Sequence, residues 1–168
     1  MADFNFQKYV NYFEALAISH QDLQHGVNGN AFYKGNAMQS HFIRSNGNNM
    51  KSAVFLLERL DTKPEDKNGD SVLLKRNGAF WILIGVGEID NDLLETSAYD
   101  KAELIAQDFL AQMRFDKEKC IFLRTFDVNS ADIMHVGPYG DNYFGVRCEY
   151  SFTTKSKNNL FRDQTVWL

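Results

Sequence analysis

In this 168-residue chain the turn-forming sequence His135-Val136-Gly137-Pro138-Tyr139-Gly140-Asp141-Asn142 directly precedes a patterned run, Tyr143 to Thr153. Within the run Phe144, Val146, Cys148, Tyr150 and Phe152 alternate with Gly145, Arg147, Glu149 and Ser151. Side chains on a strand point to opposite faces in turn, so this spacing predicts a strand with one apolar and one polar face, entered from a hairpin-like turn. Any fold for the chain must supply a sheet and something apolar to cover one side of it. The pattern is one of architecture rather than chemistry.

Upstream, the periodicity changes. Phe6, Tyr9, Val10, Phe13, Leu16 and Ala17 recur at helical spacing, with Gln7, Lys8, Asn11 and Glu14 on the other face. This predicts an amphipathic helix from about residue 4 to Gln24 or His25, with Asp3 as N-cap and Gly26 as the stop. Residues 26–52 are too rich in Gly and Asn for a long regular element. They read as a loop punctuated by Phe32, Tyr33, Phe42 and Ile43, either a functional loop or two short edge strands.

Ala53 to Arg59 reads as a buried strand and Thr62 to Asp70 as a loop. Asn77-Gly78 between the apolar runs 72–74 and 79–86 predicts a hairpin with a type I′ turn, because both central residues of that turn need positive φ. Phe80 to Ile84 is apolar at every position and so predicts a strand covered on both faces. Thr96 or Ser97 is the expected cap of a second helix, with Asp100 in the capping-box position. Its core stripe is expected at Tyr99, Ala102, Ile105, Ala106, Phe109 and Met113, widened by Leu104 and Leu110. A strand over Cys120 to Phe126, a turn over Asp127 to Asp132, and a closing hairpin of Ile133 to Val136 with Tyr143 to Thr153 complete the predicted elements. Helices and strands cluster rather than alternate, so the predicted class is α+β: a mainly antiparallel sheet, an N-terminal amphipathic helix and a second helix packed on the sheet. One domain is expected over 1–168, with the loop at about 26–52 and an arm at about 155–168.

Composition narrows the function. A net charge of -4 and a pI near 5.5 argue against a nucleic-acid binder that works through a broad basic surface. Aromatic residues make up 14% of the chain, a surplus that fits a core or an interface equally well. Cys120 and Cys148 stand alone in apolar runs and read as small buried hydrophobes in a reducing environment. The chain has neither an apolar run of the ~18 residues that span a bilayer nor, in Met-Ala-Asp-Phe-Asn-Phe, a signal-peptide start; it is expected to be neither secreted by the usual route nor membrane-embedded.

The candidate chemistry is sparse. His20 and His25 are five apart, not one helical turn, and His41 and His135 have no neighbours at metal-ligand spacing, so no metal site is expected. Asp132, His135 and Asp141 could form an acid/base cluster, yet turns select Asp and Asn for backbone hydrogen bonds without any catalysis. Gly85-Val86-Gly87 follows a strand but lacks the third glycine of a dinucleotide-binding turn, and an acidic segment follows it. From Glu88 to Glu118 there are nine acidic residues against three basic, whereas Lys155, Lys157 and Arg162 make the arm basic. The bland explanation is two solvated segments; the sharper one is an acidic helix meeting the basic arm of a neighbouring copy, a head-to-tail contact that closes into a ring.

The element order, together with the run Tyr143-Phe144-Gly145-Val146-Arg147 continued by Glu149-Tyr150-Ser151-Phe152, resembles the tail-terminator and neck proteins of tailed bacteriophages and the related components of contractile injection systems. That resemblance implies a non-enzymatic virion protein forming a ring, expected to be hexameric, at the head–tail junction or tail end, assembled in the bacterial host cytoplasm. The partners it implies are other copies of the chain and neighbouring tail-tube or neck proteins. It implies no membrane, and nucleic acid only as a passenger in the lumen. No catalytic residue and no cofactor come with it. The candidate interface comprises Phe32, Tyr33, Phe42, Lys155, Lys157, Leu160, Phe161, Arg162, Val166, Trp167 and Leu168. The alternative expectation is a small α+β enzyme or ligand-binding domain whose pocket the 26–52 loop covers.

Overall fold

A computed structural model describes residues 4–23, 25–26, 31–35, 53–66, 72–87, 91–119, 123–139 and 142–156. The elements in chain order are α1 (Phe6–Ser19), β1 (Phe32–Lys34), β2 (Ala53–Leu57), β3 (Asp61–Asp66), β4 (Val72–Gly85), α2 (Asp92–Glu118), β5 (Asp127–Tyr139) and β6 (Tyr143–Lys155). The six strands form one sheet in the order β1-β2-β4-β6-β5, with β3 paired to the first half of β4. Only β1 and β2 run parallel; the other pairs are antiparallel. The fold is α+β, with both helices packed on the sheet.

Both helices use asparagine caps. Asn5 Oδ1 accepts the Lys8 N–H at 2.8 Å, and Asn91 Oδ1 accepts that of Leu94 at 3.3 Å. Each satisfies a backbone donor that the first helical turn leaves unpaired. The expected cap Asp3 lies outside the described residues, and the α2 cap, Asn91, comes five or six residues before the expected Thr96 or Ser97. Asp92 and Glu95 sit in that first turn, where the helix dipole favours negative charge. The regular part of α1 ends at Ser19, short of the expected Gln24, although Gly26 does adopt the positive φ of a stop.

The helices bury their apolar stripes against one sheet face. Tyr9, Val10, Phe13 and Ala17 of α1, and Ala98, Ala102, Ile105, Phe109 and Met113 of α2, meet Phe55, Phe80, Ile82, Val146, Cys148 and Tyr150. Aromatic rings form the centre. Phe55 stacks on Phe80 at 5.1 Å and on Phe109 at 4.7 Å, and Phe13 completes the group at 5.9 Å from Phe55. Much of the aromatic surplus is therefore spent on the core. Asp116, itself buried, joins the helices by accepting hydrogen bonds from Tyr12 at 2.8 Å and Gln112 at 2.9 Å.

Four expectations are corrected. Asn77-Gly78 makes no turn, because β4 runs unbroken from Val72 to Gly85 and pairs with β6 along its whole length. Gly78 is small for a packing reason: a Cβ there would lie 2.7 Å from Tyr150 Cζ and 2.9 Å from the Tyr9 hydroxyl. Those two phenols hydrogen-bond at 2.5 Å beneath it, and burial raises the pKa of both, keeping them neutral. The expected loop after Thr62 begins as strand β3, an edge strand whose charges and Pro64 discourage further pairing. The turn expected at Asp127 to Asp132 belongs to β5, whose register shifts within those residues. Finally, the described end of the strand expected at Cys120 to Phe126 is a turn, with Leu123 at positive φ; residues 120–122 lie outside the described set.

Candidate interaction surface

Alternation in β4 and β6 divides the sheet's second face, the one without α1 and α2, into two halves. One half is apolar: Val54, Leu56, Trp81, Leu83 and Tyr143 are buried, with Tyr33, Val136 and Tyr139 packed against them. The other half is polar and borders a cleft of about 390 Å³ whose lining includes Glu58, Asp61, Lys75, Arg147 and Glu149.

At the boundary, Arg147 grips Glu58 with two hydrogen bonds, Nε to Oε1 at 2.8 Å and Nη2 to Oε2 at 3.1 Å. Arg147 also donates to Glu149, and the Trp81 indole N–H donates to Glu58. Burial pushes the Glu58 carboxyl up, but the hydrogen bonds from Arg147 and Trp81 outweigh it and hold the group below its ordinary 4.5. Glu58 hydrogen bonds in turn raise the Arg147 guanidinium against the opposing effect of burial. Ionised, mutually neutralised and locked in a two-pronged geometry, the pair is built as a structural tie between β6 and the end of β2.

A pH effect follows. The folded-state pKa of Glu58 lies below the unfolded value, so its contribution is complete above about pH 4.5 and is lost as pH falls through the depressed folded value. Glu58→Gln is expected to lower stability by roughly 1 kcal/mol at pH 7. The difference from wild type should narrow as the pH is lowered from 7 to 3, as read from urea midpoints at the two pH values.

The three described histidines are each taken up by structural contacts. His25 Nδ1 accepts the N–H groups of Ala31 and Phe32 at 3.1 and 3.2 Å, fixing the start of β1. His20 reaches Asp108 at 3.4 Å, and His135 reaches Glu103 at 3.2 Å while stacking on Tyr99 at 4.9 Å. Asp132 and His135 do not converge. They pair with Glu149 and Val146, whose side chains lie on opposite faces of the sheet, and Asp141 is outside the described residues. Among the described residues no three His, Cys, Asp or Glu side chains come together as metal ligands. Cys148 is fully buried, and burial, then Asp132 and Glu149, push its thiol up to about 12, leaving it unreactive as a nucleophile.

Of the candidate interface residues, Phe32 is buried in the core against Phe55 at 5.6 Å, and Tyr33 packs on the second-face cluster. Lys155 is exposed at the end of β6, opposite Leu73. Phe42, Lys157, Leu160, Phe161, Arg162, Val166, Trp167 and Leu168 lie outside the described residues.

The structure adds a surface outside the candidate interface. Leu93, Leu104 and Phe115 of α2 are 83%, 62% and 51% exposed. They are eleven residues apart, about three helical turns, so they lie in one line along the side of α2 that faces away from the sheet. Leu104, expected to widen the core stripe, points the other way. At the far end of this line Phe115 borders a groove of about 310 Å³ with Leu110, Ala111 and Val128, and Arg114 and Glu118 also line it. Val128, contributed by β5, is 41% exposed.

No protein-family model, curated protein or solved structure matches the chain.

Proposed function

We propose that this chain is a non-enzymatic assembly protein that builds a ring from copies of itself, in the manner of a tail-terminator or neck protein at the head–tail junction of a bacteriophage. The observation that carries the proposal is the line of Leu93, Leu104 and Phe115 on α2, continued by Val128. Single exposed apolar residues are ordinary, but a row of large ones leading into a groove is the kind of surface that partners cover. These residues are not needed to close the core, because the opposite stripe of the same helix already does so.

The polar networks support the same reading. Glu58, Arg147 and the described histidines are committed to joining elements, which makes a stiff platform for contacts. The phage setting comes from the element order and the Tyr143 to Phe152 run. In that setting the virion is the protein's location, and tail-tube or neck proteins are its neighbours. Negative-stain electron microscopy of the purified protein is the test. Annular particles of uniform diameter are expected; a field without them at concentrations well above micromolar would count against the proposal.

A further inference from the structure

We infer that residues 157–168 of one copy dock into the α2–β5 groove of the next copy. This rests on the assembly reading above and gives it a specific contact. The groove offers Leu110, Ala111, Phe115 and Val128, with one face of the Phe115 ring approached by the Lys119 ammonium at 5.6 Å. The segment carries matching chemistry in two short apolar groups, Leu160-Phe161 and Val166-Trp167-Leu168, separated by Arg162-Asp163-Gln164-Thr165. Tryptophan is among the side chains that most often anchor an interface, and aromatic residues, phenylalanine included, are enriched at interface cores.

Charge favours encounter along α2 as a whole, its excess of carboxylates lying at 92–108, while beside the groove Arg114, Lys117 and Lys119 offset Glu118 and the buried Asp116. From Asp92 to Glu118, α2 carries seven carboxylates (92, 95, 100, 103, 108, 116, 118) against three cations (101, 114, 117), whereas 155–168 carries Lys155, Lys157 and Arg162 against Asp163 alone. Long-range attraction between the two speeds encounter, and the apolar anchors then hold. Reach also suits a neighbour. Ser156 is bound through its N–H (3.2 Å) and its hydroxyl (2.6 Å) to Val72 O of β4. The segment therefore starts from a fixed point where the end of β6 meets the start of β4, and twelve residues extend to about 40 Å. Arm and groove are different surfaces, so every copy gives one and receives one. Repetition of that contact closes a ring when the rotation between copies permits.

Two variants test the contact, one for each side. Phe115→Glu places a charge in the groove at a half-exposed position, and Val128→Glu does the same from β5 should the first disturb α2. The other variant is the chain shortened after Ser156. Sedimentation velocity on each variant alone should show assembly weakened at least about tenfold, the loss expected when an aromatic anchor is removed. A mixture of Phe115→Glu and the shortened chain should form one-to-one pairs, because the first retains a working arm and the second a working groove. Wild-type assembly by both groove variants would overturn the docking and leave the ring reading standing. Two monomeric variants that fail to pair on mixing would overturn docking on a second copy, and would instead place the arm in its own groove. A wild-type protein that is itself monomeric would overturn both.

Discussion

Gly145→Ala is expected to destabilise the protein by about 3 kcal/mol or more, at the upper end of overpacking costs. A Cβ at this position would lie 1.9 Å from the backbone oxygen of Ile82 and 3.0 Å from Leu83 Cα. No rotamer change relieves that contact, because the obstacle is main chain. Gly145 sits opposite Leu83 in β4 and Val136 in β5, so β6 must separate from a neighbour in the middle of the sheet. A domain of this size loses about 2–4 °C of melting temperature per kcal/mol, so a fall of at least about 6 °C is expected in thermal unfolding. Gly87→Ala is the control: a Cβ there meets nothing within 4 Å and should leave the melting temperature nearly unchanged.

Phe55→Ala is expected to cost about 3–5 kcal/mol, the range for deleting a buried ring and leaving a cavity. Phe55 is fully buried on β2 and stacks with Phe32, Phe80 and Phe109, with Phe13 also in contact. It is the point where α1, α2 and the sheet meet, so neither helix can collapse into the space without leaving the other. Against a total stability of typically 5–15 kcal/mol this is a large share. Urea unfolding should show a much lower midpoint with an unchanged slope, and Phe55→Leu should recover a good part of the loss. A midpoint within experimental scatter of wild type would mean that the aromatic core is not packed as described.

How much of this fold could be read beforehand depended on whether local pattern and tertiary role agreed. They agreed in β6, where alternation reflects one face under the helices and one face away from them, and in Phe80 to Ile84, where burial on both faces leaves no polar position. They disagreed at Asn77-Gly78. The dipeptide has the chemistry of a turn, but its glycine was selected by Tyr150 and Tyr9, which are distant in sequence. Strand β3 was invisible for a related reason: Asp61-Thr62-Lys63-Pro64-Glu65-Asp66 has no apolar period, and only its pairing with β4 makes it a strand. The irregular start of β5 is of the same kind.

The candidate surface was legible only in part. Tyr33 and Lys155 lie on the sheet, away from the helices, while Phe32 turned out to serve the core. Leu93, Leu104 and Phe115 did carry a signal in their eleven-residue spacing, yet next to a strong core stripe such a spacing reads as a wider stripe rather than a second face. The Glu58–Arg147 tie could not be anticipated at all, since its partners are 89 residues apart.

Ring closure by copies of this chain is read without ambiguity by native mass spectrometry of the purified protein. One dominant species is expected at a fixed multiple of 19.3 kDa, near six copies, giving way to monomer in Phe115→Glu. A single species at 19.3 kDa across the accessible concentration range would contradict it.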